Sequence, residues 1–305
     1  MSNTRALSSS PATLPLLLRA TLPLIPGASA LPFVAGGGNA IPDIELTLAR
    51  ARLSAERLAA YARVCEFATP CETLPATAPH LLAFPLHMAL MTDGSFPFPA
   101  VGLVHVSNRI AVHRPIGVEE PLDLRVHATP LEPHAKGRTF AIVTEVRVGS
   151  ELVWEERSTM LRRGRGDGSA SGRASAGTTA AAGERPANGA AQLQPAGSWY
   201  LAEDLGRRYA SVSGDRNPIH MHALSAKLFG FPRAIAHGMW TKARCLAALE
   251  SSLGDAYAIE VEFRKPIFLP GDVSFVSADE SAGTSFAVRS SKDETTIHLE
   301  GTVTR

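Results

Sequence analysis

Apolar and polar residues alternate in short runs along most of this chain, and the runs come in two similar series. Ile44 to Ala51 alternates with the period of a half-buried strand. Ser54 then stands where an N-cap is expected and opens a helix through Tyr61, and the longer apolar segment Pro85 to Met91 predicts a central helix. Four strand-like runs follow, Leu103 to Val112, Leu122 to Ala128, Thr139 to Val148 and Leu152 to Leu161, separated by Pro- and Gly-bearing turns. Beyond residue 200 the series recurs as a helix over Gly238 to Leu249, then strands over Ala258 to Phe263, Val273 to Ser277, Ser285 to Ser290 and Thr296 to Val303. Strands in succession, without a helix between each pair, predict an α+β fold in which each half is one helix wrapped by an antiparallel sheet.

Between the two series the composition changes sharply. Residues 164–197 are almost all Gly, Ala, Ser, Thr, Pro and charge, and Leu193 is the one sizeable aliphatic. Such a segment buries too little apolar area to offset the roughly 1–2 kcal/mol per residue that backbone ordering costs, so it reads as a flexible tether. On either side the chain repeats itself. Tyr61-Ala62-Arg63-Val64-Cys65 matches Tyr209-Ala210-Ser211-Val212-Ser213 at an offset of 148, and Pro75 to His80 matches Pro232 to His237. Arg114-Pro115-Ile116 matches Lys265-Pro266-Ile267 at an offset of 151. Three anchors in one order indicate a duplication. The organisation expected is an N-terminal extension over 1–39, a first half over 40–163, the tether over 164–197 and a second half over 198–305.

Composition narrows the function classes. At 305 residues and 45% hydrophobic, the chain buries a large core in one or two domains. Thirty basic against 29 acidic side chains give a net charge of +1, which supplies no global field for nucleic acid or an anionic membrane. The apolar stretch Leu14 to Val34 is broken by Pro15, Arg19, Pro23 and Pro26, and its longest clean run, Leu16 to Leu18, falls far short of the roughly 20 residues that span a bilayer. A packed extension is expected there, not a leader. Cys65, Cys71 and Cys245 form no paired motif, which fits a reducing cytoplasm. Gly36-Gly37-Gly38 lacks the following GK[ST] of a phosphate loop, so nucleotide binding is not expected.

The chemistry concentrates in Tyr209 to Ala226, YASVSGDRNPIHMHALSA, which sets an acid, an amide and an imidazole around two backbone punctuators. Gly214 permits a turn that a side chain would hinder, while Pro218 pushes Asn217 out of the helical region. Gly214 to His220 therefore reads as a shaped loop that turns Asp215 and His220 toward one point. The counterpart in the first half, Cys65 to Glu72, has no such pair; Glu66 and Glu72 read as solvated carboxylates, and one active site per chain is expected. His237 reads as a structural donor to a loop carbonyl and His222 as a surface residue. His220, His222 and His237 match no usual zinc spacing, so no metal is expected. Met239, Trp240, Leu246 and Leu249 recur at helical spacing and read as core, while Arg216, Lys227 and Arg233 read as solvated.

Taken in order, Tyr209, Val212, Ser213, Gly214, Asp215, Asn217, Pro218, Ile219, His220 and Ala226 resemble the hydratase 2 signature of MaoC-like enzymes. The following FGFPRAIAHGMWTKARCLAAL is similar to the glycine-bearing helix start with which those enzymes bind a thioester carbonyl. The resemblance is to bacterial 3-hydroxyacyl-thioester dehydratases and (R)-specific enoyl-CoA hydratases of the double-hotdog type, and it covers most of the chain outside the tether. It implies two hotdog folds with their sheets joined, the acyl thioester entering between them and the first half walling the acyl chain. It also implies a hydro-lyase that interconverts trans-2-enoyl and (3R)-3-hydroxyacyl thioesters. In that reading His220 activates a water, Asp215 holds the same water and shares its proton traffic, and the Gly238 N–H stabilises the enolate-like oxygen. Asn217 shapes the site, with Ser213 and His237 as further site-shaping candidates. No cofactor is expected beyond the thioester substrate, whose carrier is CoA or acyl carrier protein, and the assembly is a monomer or a homodimer. A hotdog thioesterase and a non-catalytic acyl-thioester-binding subunit are the alternatives; Asp215 and His220 together with Asn217-Pro218 favour hydration over both.

Overall fold

A computed structural model describes residues 3–22, 35, 40–164 and 193–305, so Gly36 to Gly38 and most of the tether lie outside the described residues. The first half comprises β1 (Asn3–Leu7), α1 (Thr13–Thr21), β2 (Ile44–Ala51), α2 (Ala55–Cys65), α3 (His80–Met91), β3 (Leu103–Val112), β4 (Leu122–Ala128), β5 (Glu132–His134), β6 (Gly137–Val148) and β7 (Glu151–Arg163). The second comprises β8 (Gln194–Leu201), α4 (Leu205–Ser213), α5 (Pro218–Met221), α6 (Ala223–Leu228), α7 (Gly238–Leu249), β9 (Tyr257–Phe263), β10 (Gly271–Glu280), β11 (Gly283–Ser290) and β12 (Ile297–Thr304).

All of the strands among the described residues belong to one twelve-stranded sheet, ordered β1-β2-β4-β6-β7-β3-β9-β12-β11-β10-β8 with β5 paired to β6. Every pairing is antiparallel except β1 with β2. The halves meet where β3 pairs with β9, with Arg109 opposite Glu260 and Ile110 opposite Ile259. Side chains alternate across this seam: Ile110, Ile259 and Val261 are buried, while Arg109, Glu260 and Glu262 face solvent. The expected α+β arrangement of two helix-and-sheet halves is thus present, joined edge to edge.

Among the boundaries that differ from the sequence reading, three have a clear physical cause. Helix α3 starts at His80, five residues before the expected Pro85, because a proline inside a helix reads as a start when only local pattern is used. Its burial, with Leu81, Leu82, Ala83 and Leu86 all inside, overrides that cost. Gln194 to Gly197, assigned by composition to the tether, form the start of β8, so the second half begins at 194 and not at 198. There the ladder to β10 and the stacking of Trp199 on Phe275 at 5.1 Å supply what the small side chains lack. Helix α2 runs one turn past Tyr61, to Cys65, from the expected cap: the Ser54 side chain accepts from Arg57 N–H.

In the extension, β1 adds to the sheet edge and Leu16 and Leu17 of α1 pack on the core. No helix among the described residues is long and apolar enough to cross a membrane.

A buried polar network crosses the seam beneath α7. Lys242, fully buried, donates from Nζ to Asn108 Oδ1 at 2.5 Å and to the carbonyls of Asn108 and Ile259 at 3.2 Å. Asn108 Nδ2 donates to Glu156 Oε1 at 2.7 Å, and His80 Nδ1 donates to Glu156 Oε2 at 2.9 Å. The chain of contacts therefore joins the two central helices, α7 through Lys242 and α3 through His80.

Candidate active site

Residues 205–221 fold as two helical pieces around a tight turn. Helix α4 ends at Gly214, whose φ of +83° is the left-handed conformation that stops a helix cleanly. Asn217 caps the next helix, its side chain accepting from Ile219 N–H, and Pro218 occupies the first position, where a missing N–H costs nothing. His220 therefore stands on α5 and not on the expected loop, which spans only residues 214–217. At Gly206 a Cβ would collide with the His220 carbonyl, so that glycine is what lets α4 and α5 approach.

The turn brings the expected groups together. Asp215 Oδ1 accepts Asn217 N–H at 3.1 Å, and the Asp215 N–H is held by Ser213 Oγ at 3.2 Å. His220 Nδ1 lies 2.8 Å from the Ile235 carbonyl, which can only accept, so Nδ1 carries the hydrogen and Nε2 keeps a bare lone pair. Burial lowers the pKa of this imidazole below its ordinary 6.5, against the pull of Asp215, so the ring is neutral and basic at pH 7. One ligand atom each from Asp215, His220 and His237 lie within 4.8 Å of one another.

His237 donates to a loop carbonyl, as the sequence reading expected, and packs on His220 as well. Its ring stacks on His220 with centroids 3.7 Å apart, and its Nε2–H donates to the Asp215 carbonyl at 2.9 Å. Burial lowers its pKa to about 3, so it stays neutral, and its Nδ1 is buried with no hydrogen-bond partner. It is also the N-cap of α7, which begins at Gly238. The N–H at that first position has no intrahelical partner and points from the positive end of the helix. A Cβ at Gly238 would sit 2.9 Å from Phe263 Cε1, so a larger residue would displace that ring or the helix start.

Two neighbours carried no sequence signal. Phe263 is an ordinary strand residue by pattern, and His105, on β3 of the first half, stacks on it at 4.8 Å. The His105 ring is held neutral, its pKa lowered by burial to about 4, with Nε2 buried and unpartnered. By contrast, His222 is exposed and outside the cluster, as are Arg216, Lys227 and Arg233. On the other side of the pseudo-symmetric pair, Glu66 is an exposed residue bound to Arg244, and Glu72 is exposed.

Asp215, His220 and His237 could in principle hold a metal, as could His80, His87 and Glu156. In the second set His80 Nδ1 is bound to Glu156 and His87 Nε2 to the Thr144 hydroxyl at 2.7 Å, whereas in the first His220 Nδ1 and His237 Nε2 are taken by the Ile235 and Asp215 carbonyls and His220 Nε2 and His237 Nδ1 are left.

Comparison with known proteins identifies relatives of this chain. A MaoC like domain is matched over residues 187–302, the span holding Asp215, His220 and Gly238. The chain is 35% identical over 265 residues to 3-hydroxyacyl-thioester dehydratase X of Mycobacterium tuberculosis, covering 86% of this chain and 89% of that protein. A crystal structure of HtdX from the same organism superposes with a TM-score of 0.71 at 34% identity, covering 85% of this chain and 98% of that one. A MaoC-like dehydratase from Phytophthora capsici shares the fold at a TM-score of 0.67 and 17% identity, covering 85% and 95%. The architecture is the double hotdog of these neighbours.

Proposed function

The chain belongs to the MaoC-like dehydratase family, and as such we propose that it is a hydro-lyase interconverting 3-hydroxyacyl and trans-2-enoyl thioesters, with the (3R) alcohol as its product or substrate. The observation that carries this reading is the pairing of Asp215 with a neutral His220 whose Nε2 is bare, beside the helix start at Gly238.

In the hydration direction His220 Nε2 takes a proton from water as the oxygen bonds to C3. Asp215 orients that water. Electron density moves onto the thioester oxygen, where the Gly238 N–H and the positive end of α7 stabilise it. C2 then receives a proton from the Asp215 and His220 pair, so the net change is addition of one water. Dehydration uses the same groups in reverse. Asn217 and Ser213 hold the loop, and His237 fixes the Asp215 carbonyl and supports the His220 ring. The first half walls the acyl chain, and the carrier is CoA or acyl carrier protein. Three free thiols, two of them buried, are in keeping with a cytoplasmic location.

The testing assay follows crotonyl-CoA absorbance with a thiol reagent present, and crotonyl-acyl carrier protein in parallel. Loss of the enoyl band without thiol release supports hydration, and thiol release would mean a thioesterase. Dialysis against a chelator is expected to leave the rate unchanged, since the proton relay and oxyanion donor are side chains and backbone of this chain; a loss restored by a divalent ion would replace that reading.

The pH profile offers a further check. The base form of His220 is required, and burial lowers its pKa below 6.5, so activity persists through pH 6.5 and is lost only as pH falls through that lowered value. Asp215 opposes the shift and the neutral His237 ring packs against the same face. An acid limb of kcat/KM above pH 6.5 would exclude this imidazole as the base.

A further inference from the structure

The repeat allows the two sides of the molecule to be compared residue by residue, and one contact differs in kind. Val64 in the last turn of α2 corresponds to Val212 in the last turn of α4. Each valine carbonyl accepts a hydrogen bond from a side chain of the opposite half. On the side without catalytic residues the donor is neutral: Trp240 Nε1 gives to Val64 at 2.9 Å. On the side leading to Asp215 the donor is a cation: Arg57 Nε gives to Val212 at 2.8 Å, and Nη2 reaches the Ser213 carbonyl at 3.5 Å. At the offset of 148, Arg57 corresponds to Leu205, an apolar core residue. Arg244 also comes to the end of α2, but there it binds the exposed Glu66 carboxylate; of these two helix ends, a guanidinium bonds the last-turn carbonyls only at the one that continues into Gly214 and Asp215.

The same Nη2 donates to the Leu81 carbonyl at 3.2 Å. That carbonyl lacks its helical partner because the residue four positions on is Pro85, which has no N–H. One half-buried fork therefore holds the first turn of α3 and the last turn of α4 from its place on α2. A cation is favoured at a helix C-terminus, and the planar guanidinium fixes direction as well as distance. From Ser213 the constraint passes directly on, since its Oγ holds the Asp215 N–H.

We infer that Arg57 is a positioning residue of the hydratase reaction, supplied by the half that has no catalytic residues: it fixes the end of α4 and so sets Asp215 against His220. The inference rests on the reading that Asp215 and His220 act on the water.

The test uses the full chain as wild type, Arg57→Met, Arg57→Lys and Asp215→Asn, with crotonyl-CoA as substrate. Misplacing a reacting group by about 1 Å costs about 100-fold, so Arg57→Met is expected to lose about 10- to 100-fold in kcat. Its KM should stay within about twofold, because the hydrogen bonds of the Arg57 guanidinium go to the carbonyls of Val212, Ser213 and Leu81, and Arg57→Lys should recover part of kcat. Folded Arg57→Met with kcat within about twofold of wild type would overturn the proposal. So would a loss of kcat that Arg57→Lys does nothing to restore. Hydrogen exchange reads the same claim without turnover: the amides of residues 214–217 should exchange faster in Arg57→Met, with β10 to β12 unchanged, and unaltered exchange at 214–217 would also overturn it. Should Arg57→Met not fold, Arg57→Lys carries both readouts, with a smaller loss expected. Inactive wild-type protein would count against the hydratase reading, whereas active wild type, inactive Asp215→Asn and fully active Arg57→Met would count against Arg57 alone.

Discussion

Asp215→Asn and His220→Ala should each lower kcat for enoyl-thioester hydration by about 100- to 10,000-fold, the range that one positioned acid or base supplies. Each loss should appear in kcat and kcat/KM together, because both groups act on a water that is reacting only in the transition state. Asn in place of Asp215 keeps an oxygen that can accept Asn217 N–H, so the turn survives while the charge is lost. Ala in place of His220 frees the Ile235 carbonyl, and some loss of stability accompanies it. The double variant should be little slower than the worse single one, since groups serving one proton relay fail as a unit. Steady-state kinetics of the four proteins, with melting curves to confirm folding, decide the matter. Near-normal turnover in either folded single variant would remove these residues from the mechanism.

Much of this site could be read before any coordinates because its geometry is local. Gly214, Asn217 and Pro218 each impose a backbone state by covalent structure alone, and together they dictate a stop, a cap and a restart within eight residues of Asp215. Strand and helix series were legible for the same reason: Leu103 to Val112 and Gly238 to Leu249 follow the period of their element to the residue. What escaped was whatever depends on the opposite half. Arg57 looks like any solvated arginine on a helix until α4 arrives beside it, and His105 and Phe263 are unremarkable in strands until β3 pairs with β9. Helix α3 was cut short at Pro85 because the packing that tolerates that proline is tertiary. The strand β8 was lost in a low-complexity stretch because its hydrogen bonds go to β10, about 80 residues on, and pairing over such distance leaves no mark in local composition.

The second large effect expected is on stability. Glu156 is 1% exposed, and although burial alone would raise its pKa, the contacts from His80, His87 and Asn108 lower it to about 2. It is therefore an anion at neutral pH, holding two buried donors and lying near enough to Lys242 to favour that ammonium, whose pKa burial has lowered to about 7. Glu156→Leu leaves His80 Nδ1 without its acceptor and Lys242 without its neighbouring negative charge. Breaking a buried charge network at one member costs about 3–5 kcal/mol, which for a chain of this size lowers Tm by about 5–10 °C. Adding Lys242→Met should recover part of the loss, because an unpaired buried cation is then no longer left behind. The pH dependence has a fixed sign. A carboxyl held below its ordinary 4.5 contributes stability that is fully present above that pH and is lost as pH falls toward 2, so the Tm gap between wild type and Glu156→Leu should narrow below pH 4.5. A gap that is small at pH 7, or that widens in acid, would mean that the contacts of Glu156 across the core do not stabilise the docking of the two halves.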